Sequence, residues 1–255
     1  MSIALIGSTG FVGGNLVAQA KPDACFRSTD IAGIRGREFE LLLCAGAPAV
    51  KWLANREPEA DLANLRSLMG HLEHVRASRT VLFSTVDVFD PALGVDEDSP
   101  VPEKSHPYGA HRRLLERFFK DHFDTLVIRL PGLFGAGLKK NVIFDLMNNN
   151  RVEFIDPRCS FQYYDLSLLW ADVQRAQDAG LKLVHFATEP INTALLADEV
   201  FGRTLTVPNP DAPVARYDLQ SVHAATWGRT GPYLYGADEI LQCMKAFVAA
   251  SRSRD

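Results

Sequence analysis

The chain predicts an α/β fold, a parallel sheet with helices on both faces, and two features of its sequence carry that expectation. Short apolar runs of strand length alternate with longer stretches of helical period through the first half. The first of those runs ends in spaced glycines that open straight into a helical stretch, which is how such sheets begin.

Taken in order, "IALIG" is a strand and "FVGGNLVAQA" the helix after it, while "ACFR" and "FELLLCAG" are the next two strands. "DLANLRSLMGHLEHV" has helical apolar spacing and leads into the strand "TVLFST". "YGAHRRLLERFF" is helical again, and "TLVIRL" at 125–130 and "LKLVHFA" at 181–187 are further central strands. Residues 132–165 and 188–235 are richer in Gly, Pro, Asn and aromatics, as segments are that hang outside a sheet and shape a substrate pocket. The expected division is therefore a sheet domain of residues 1–131 and 176–187 and a small discontinuous subdomain of 132–175 and 188–255. The terminal "SRSRD" reads as a frayed polar end.

At 255 residues, 47% hydrophobic and 23% charged, the chain has apolar material for one large domain or one with a small annex. A net charge of -4 without a dense Lys/Arg run argues against nucleic acid as a partner. "MSIALIG" carries no basic leader, and no apolar run reaches the roughly 18 residues of a membrane span, so a soluble cytoplasmic protein is expected. Cys25, Cys44, Cys159 and Cys243 show no CxxC or paired metal spacing and read as buried reduced thiols. His71 and His74 flank Glu73 on a helix, but no third ligand of suitable spacing follows, so no metal is expected. His185, inside an apolar strand, reads as a satisfied core histidine, and Asp96, Glu97 and Asp98 read as a solvated acidic loop.

The turn "GSTGFVG" places Gly7, Gly10 and Gly13 at G-x-x-G-x-x-G spacing between strand and helix. Glycines let the backbone turn sharply and approach a pyrophosphate, whose negative charge the N-terminus of the following helix favours. A ribose reader belongs roughly 20 residues downstream, at the end of the second strand. That place holds Arg27, with Asp30 close behind. An acid there binds the ribose hydroxyls of NAD and an arginine accommodates the extra phosphate of NADP, so the lean is slightly to NADP, with Arg27 as a solvated strand end the open alternative.

With these residues the chain resembles the extended short-chain dehydrogenases/reductases, the NAD(P)-dependent epimerases, dehydratases and reductases of sugar nucleotides. The resemblance rests on the glycine triplet, on "LLLCAGA", on "STVDVFD", on Tyr108-Gly109 and on "RLPGLFGAG". It runs over most of the chain, is firmest from residue 3 to 135, and within the group is most similar to dTDP-4-dehydrorhamnose reductases and nucleotide-sugar dehydratases at "STVDVFD". It implies a Rossmann-type doubly wound parallel sheet with a small C-terminal substrate subdomain. It also implies dinucleotide contacts from Gly7, Thr9, Gly10, Phe11, Val12, Gly13, Arg27, Ala45, Gly46, Ala47, Ser84, Leu130 and Pro131, besides Tyr108 and Arg112.

By the same resemblance Thr85 is the hydroxyl that bonds the substrate carbonyl or alcohol, and Tyr108 is its proton donor or acceptor. The dehydratases follow that threonine with an Asp-Glu pair; here the positions are Val86 and Asp87, which keeps Asp87 as a substrate contact and disfavours dehydration. A tyrosine of ordinary pKa near 10 must be brought down near neutrality to act as a base, a change worth roughly 4 kcal/mol. The family does this with a lysine one helical turn on, where this chain has Arg112. Tyr108 and Arg112 share a helix face, and a unit charge at about 4 Å is worth roughly 4 kcal/mol at an effective dielectric of 20. Charge therefore suffices, whereas a planar guanidinium does not reproduce the ribose bonds of an ammonium.

Arg129, after the sixth strand, resembles a structural arginine, and Gly132 stands where many epimerases have a substrate-binding Asn. Lys139, Lys140 and Asn141 fall where the family often meets the nucleotide diphosphate, and Arg158 and Gln162 lie in its substrate region. The resemblance also suggests a homodimer through helices that include the one after Tyr108. The expected activity is an NAD(P)-dependent oxidoreductase or epimerase acting on a nucleotide sugar or similar hydroxy/keto compound. Its rival is a non-catalytic NAD(P)-binding protein that lost the lysine.

Overall fold

The computed structural model describes residues 2–103 and 105–252. The chain divides into two compact units, Met1–Pro91, Ser99–Leu130 and Leu168–His185 forming the first and Ala92–Asp98, Pro131–Ser167 and Phe186–Asp255 the second. The first unit opens with β1 (Ile3–Ile6), α1 (Phe11–Ala20), β2 (Ala24–Phe26) and β3 (Glu38–Cys44), then α2 (Lys51–Arg56), α3 (Pro58–Leu72) and β4 (Arg76–Thr85). After β5 (Leu93–Val95), which belongs to the second unit, the chain returns with α4 (Pro107–His122) and β6 (Thr125–Leu130). The second unit continues through β7 (Gly132–Phe134), α5 (Val142–Met147), β8 (Ser160–Phe161) and β9 (Tyr163–Asp165). α6 (Leu169–Asp178) and β10 (Leu183–His185) complete the first unit, and β11 (Ile191–Asn192), α7 (Thr193–Phe201), β12 (Asp218–Leu219) and α8 (Ala237–Arg252) the second.

The six strands of the first unit run in the order β10-β6-β4-β3-β1-β2, every neighbouring pair parallel. From β1 the chain moves outward to β2 and then crosses back to β3 on the other side of β1, so the order reverses between β1 and β3. Helices cover both faces, which is why the inner strand β3 carries an unbroken run, Leu41, Leu42, Leu43 and Cys44, all 0% exposed. Each such leucine contributes about 1.5–3 kcal/mol of burial. The segment after β2 is too short for another strand and helix and folds as the 3-10 turn Ile31–Ile34, leaving three-residue β2 as the sheet edge.

α1 and β1 occupy their expected positions, whereas α3 starts ahead of "DLANL" because Pro58 supplies the first helical position. α6 lies in the first unit, although the expected division placed residues up to 175 in the second. Its buried residues Leu169, Asp172, Val173 and Ala176 form one helical face, and the Trp170 N–H donates to Gln19 Oε1 of α1 at 3.0 Å.

Among the described residues the second unit has two- and three-residue strands in pairs, β7 with β9, β8 with β11 and β5 with β12, as a Gly- and Pro-rich chain allows. Its core gathers Phe134, Ile143, Leu146, Tyr163, Ile191, Leu196, Ile240 and Met244. Within this unit Glu97, expected to be solvated, accepts from Ser221 Oγ at 2.6 Å and from the Val222 N–H at 2.8 Å. Of the terminal residues expected to fray, Ser251 and Arg252 close α8, Ser251 Oγ donating to Phe247 O at 2.9 Å, and residues 253–255 lie outside the described ones. Among the described residues no helix is long and apolar enough to cross a membrane. Cys44 and Cys159 are buried thiols, burial pushing Cys44 up to about 12, but Cys25 is exposed, against expectation, because it faces outward from the edge strand.

Candidate functional site

The glycine turn sits at the C-terminal end of β1, beside the reversal of strand order where open α/β sheets bind ligands. Gly7 adopts φ +85°, and a Cβ there would lie 2.3 Å from Ala45 O, so the end of β3 and the turn approach as only glycine permits. A Cβ on Gly13 would lie 2.0 Å from Gly7 O, which locks the helix onto the turn. Gly10 differs: its φ is -75°, and a Cβ would meet only Gly7 O, at 3.3 Å. Gly10 caps α1 without a side-chain bond and no acid occupies the first turn, so no side chain competes for negative charge at the N-terminus of α1. Thr9 and Gly10 are exposed, and Phe11, Val12, Ala45, Gly46 and Ala47 are half-buried around them. This cradle fits a dinucleotide pyrophosphate.

At the end of β2 the exposed Arg27 is already paired. Its Nε donates to Asp30 Oδ2 at 2.9 Å and its N–H to Asp30 Oδ1 at 2.5 Å, and those bonds hold the Asp30 carboxyl below its ordinary range.

The strand end "STVDVFD" splits its polar groups between core and site. Ser84 Oγ donates to Glu116 Oε1 at 2.6 Å, within a buried network where Glu116 takes Arg129 Nε at 3.0 Å and Nη2 at 2.7 Å. Arg129 Nη1 also meets His185 Nε2 at 3.3 Å, so Arg129 and His185 are core residues. The Ser84 hydroxyl, expected at the cofactor, is thus committed to the interior. Thr85 instead accepts the Asp87 N–H on its hydroxyl at 3.1 Å, and that hydroxyl favours ionisation of Tyr108.

Tyr108 follows Pro107, the first residue of α4, a helix capped by His106, whose Nδ1 accepts the Gly109 N–H at 3.0 Å. Its own N–H donates to Asn55 Oδ1 of α2 at 2.9 Å, and the ring is 7% exposed. Burial raises the phenol above its ordinary value; the Arg112 guanidinium and Thr85 pull it down and the Asp87 and Asp61 carboxylates push it up, and the upward direction prevails.

Arg112 is where the structure departs most from the sequence expectation. It is 3% exposed, with Nη1 donating to Asp61 Oδ2 at 2.7 Å, Nη2 to Asp61 Oδ1 at 3.0 Å, and Nη2 also to Pro48 O. The guanidinium carbon lies 4.3 Å from the Tyr108 ring centroid, over its face rather than at its oxygen. Arg112 therefore ties α4 to α3 and to the loop after β3, and its fork is occupied. Burial pushes the Asp61 carboxyl up, but the bonds and charges of Arg112 and His111 outweigh it and hold Asp61 below its ordinary value.

Leu130 ends β6 buried, and Pro131 begins the next segment of the second unit. In that unit, several expected substrate contacts are occupied by the chain itself. Gln162 is 2% exposed and staples Leu219, its Oε1 accepting the Leu219 N–H at 2.6 Å and its Nε2 donating to Leu219 O at 2.7 Å. Arg158 pairs with Asp156 at 2.6 Å and donates to the carbonyls of Asn209 and Pro210 at 2.9 and 2.8 Å. Asn141 caps α5 through the Phe144 N–H at 3.0 Å. Gly132 is a glycine because a Cβ would lie 2.6 Å from Gln162 O. Lys139 and Lys140 are exposed.

Three residues of the site escaped the sequence reading: Asp61, Asn55 and Lys51, whose Nζ donates to Asp87 Oδ1 at 2.6 Å. Asp61 alone left a signal, since it occupies the buried helical stripe otherwise made of Leu65, Leu68 and Leu72.

No protein-family model matches the chain and no curated protein matches its sequence. Among solved structures it is similar to the NAD-dependent NDP-hexosamine 5,6-dehydratase TunA, involved in tunicamycin biosynthesis, at TM-score 0.77 and 16% identity, covering 100% of this chain and 98% of that one. It is similar to a dTDP-4-dehydrorhamnose reductase of Clostridium acetobutylicum at TM-score 0.75 and 16% identity, with 99% and 100% covered. UDP-glucose 4-epimerase of Thermotoga maritima, solved with UDP-glucose, gives TM-score 0.71 and 15% identity, with 100% and 99% covered. The shared property is the fold, a Rossmann-type doubly wound sheet.

Proposed function

We propose that the chain binds NAD or NADP at the glycine turn and acts as an oxidoreductase or epimerase on a nucleotide-linked sugar or similar hydroxy/keto compound. The observation that carries this reading is the glycine turn at the reversal of strand order, with Thr85 at the end of β4 and Tyr108 at the start of α4 in the same unit. Proteins of the same fold named as a dehydratase, a reductase and an epimerase of nucleotide sugars support it.

Gly7, Gly10 and Gly13 would hold the pyrophosphate and Arg27 or Asp30 the adenosine ribose, while the bound nicotinamide supplies a hydride acceptor and donor. Thr85 polarises the substrate oxygen and Tyr108 moves its proton. Arg112, with its fork filled by Asp61, holds the Tyr108 ring in place. The titration of the protein with NAD, NADH, NADP and NADPH, followed by a screen of nucleotide sugars for change in nicotinamide absorbance, tests the reading.

Two variants probe the cofactor site. Gly10→Val should abolish dinucleotide binding; a Cβ there would press on Gly7 O at 3.3 Å, so circular dichroism checks that the variant is folded. Unchanged affinity in a folded variant removes the turn from the site. Arg27→Ala should weaken NADP more than NAD, with the difference shrinking in high salt; equal weakening makes Arg27 a bystander that serves Asp30.

A second reading, a non-catalytic NAD(P)-binding protein, rests on the immobilised Arg112 alone. Tight dinucleotide binding without turnover of any nucleotide sugar decides for it.

A further inference from the structure

The first turn of α4 is not capped by its own residues alone. Pro107 has no N–H, the Gly109 N–H goes to His106 Nδ1 at 3.0 Å and the Ala110 N–H to His106 O at 3.1 Å, but the Tyr108 N–H is taken by Asn55 Oδ1 of α2 at 2.9 Å. Lys51, one turn before Asn55 on the same face of α2, donates from Nζ to Asp87 Oδ1 at 2.6 Å. Asp87 in turn touches both sides of the site. Its N–H donates to Thr85 Oγ1 at 3.1 Å, and its carbonyl packs so closely on α4 that a Cβ on Gly109 would lie 2.1 Å from the Asp87 oxygen. The loop leading into α2 is held to the same helix, Arg112 Nη2 donating to Pro48 O. All of these groups belong to the first unit.

We propose that Lys51 and Asn55 are positioning residues, a clamp on α2 that sets the Tyr108 end of α4 against the Thr85 end of β4. This deepens the functional reading above and rests on it. Asn55 holds Tyr108 by its backbone N–H, and Lys51 holds the carboxylate of Asp87, the residue wedged between Thr85 and Gly109. Two groups that must meet on one substrate oxygen are sensitive to placement, a shift of about 1 Å costing roughly 10²-fold in rate. Stability is a different matter. The Lys51 side chain is 38% exposed, and an ion pair so open to water adds little to the fold. Placement is therefore what the clamp supplies.

Two rival explanations give different results. If the bonds of Lys51 and Asn55 only stabilise the fold, their loss lowers the melting temperature and leaves kcat of the folded protein unchanged. If Lys51 itself binds substrate or dinucleotide, its loss raises KM or the dinucleotide Kd, and the effect persists when the phenol is gone. A clamp acts through Tyr108, so its effect on turnover disappears with the phenol.

The test uses the full chain with its dinucleotide and an active nucleotide sugar from the screen. Turnover and dinucleotide affinity are measured for Lys51→Met, Lys51→Arg and Asn55→Ala, the first and last also combined with Tyr108→Phe. Amide hydrogen exchange is followed by NMR in the dinucleotide-free protein. The expected result is a kcat lowered about 10- to 10²-fold in Lys51→Met and in Asn55→Ala, with KM and dinucleotide affinity changed by less than about threefold. Lys51→Arg keeps the ion pair to Asp87 and should retain most of the turnover. In Tyr108→Phe neither change should lower turnover further. Exchange should quicken about tenfold or more at the Tyr108 N–H in Asn55→Ala and at the Asp87 N–H in Lys51→Met. An unchanged kcat in either folded variant overturns the clamp, as does a loss that persists in full in Tyr108→Phe, or amides that neither change moves. If the wild type turns over no nucleotide sugar, the functional reading is what fails, and exchange at Tyr108 and Asp87 still decides whether α2 holds the two ends.

Discussion

Asp61→Ala is expected to destabilise the protein by about 3–5 kcal/mol, since it leaves the Arg112 charge buried without its partner. In a chain of this size that is a fall in melting temperature of roughly 10 °C, readable by calorimetry or circular dichroism. Arg112→Ala should act comparably, and the double variant should lose much less than the sum of the two, because both single changes break one bidentate pair. Arg112→Lys belongs to the same series. An ammonium cannot span both Asp61 oxygens and Pro48 O, so this variant should lose stability rather than regain an active-site lysine. Acid titration provides a separate reading. The folded Asp61 carboxyl lies below its ordinary value, so its contribution is full above the unfolded value of about 3.9 and is lost as pH falls through the folded one. Asp61→Asn should therefore lose stability less steeply on the acid side than the wild type. Full additivity of Asp61→Ala and Arg112→Ala sinks the account.

What the sequence discloses and what it hides differ in range. The glycines are legible because φ +85° at Gly7 and the 2.0 Å clash at Gly13 are demands of the local backbone, expressed within one turn of chain. "LLLC" is legible because a strand covered on both faces needs no polar alternation. The fate of Arg112 is not, because its partner is 51 residues away on another helix. Lys51 and Asp87 are likewise 36 residues apart. Arg158 and Gln162 misled for a related reason: a long polar side chain in a loop-rich segment suits a ligand and suits equally the orphan carbonyls of the loops around it, which here claim both. α6 was assigned to the other unit because its partner face on α1 lies far back in the sequence.

Tyr108→Phe is expected to lower turnover by roughly 10² to 10⁴ while leaving dinucleotide affinity almost intact, because it removes a proton-transfer group and little else. The structure makes this a clean deletion. Arg112 lies over the face of the ring, a contact that phenylalanine preserves, and the bond to Asn55 comes from the backbone N–H. Only the phenol oxygen disappears. The upward direction of the phenol's ionisation adds a pH signature for the wild type. Oxidation requires the phenolate, a minor species at neutral pH, so its rate should climb with pH through the neutral range; reduction requires the phenol and should stay level there. In Tyr108→Phe the climb should vanish along with the turnover. A variant that keeps wild-type turnover and the same climb would place the acid/base elsewhere and leave Tyr108 as a packing residue beneath Arg112.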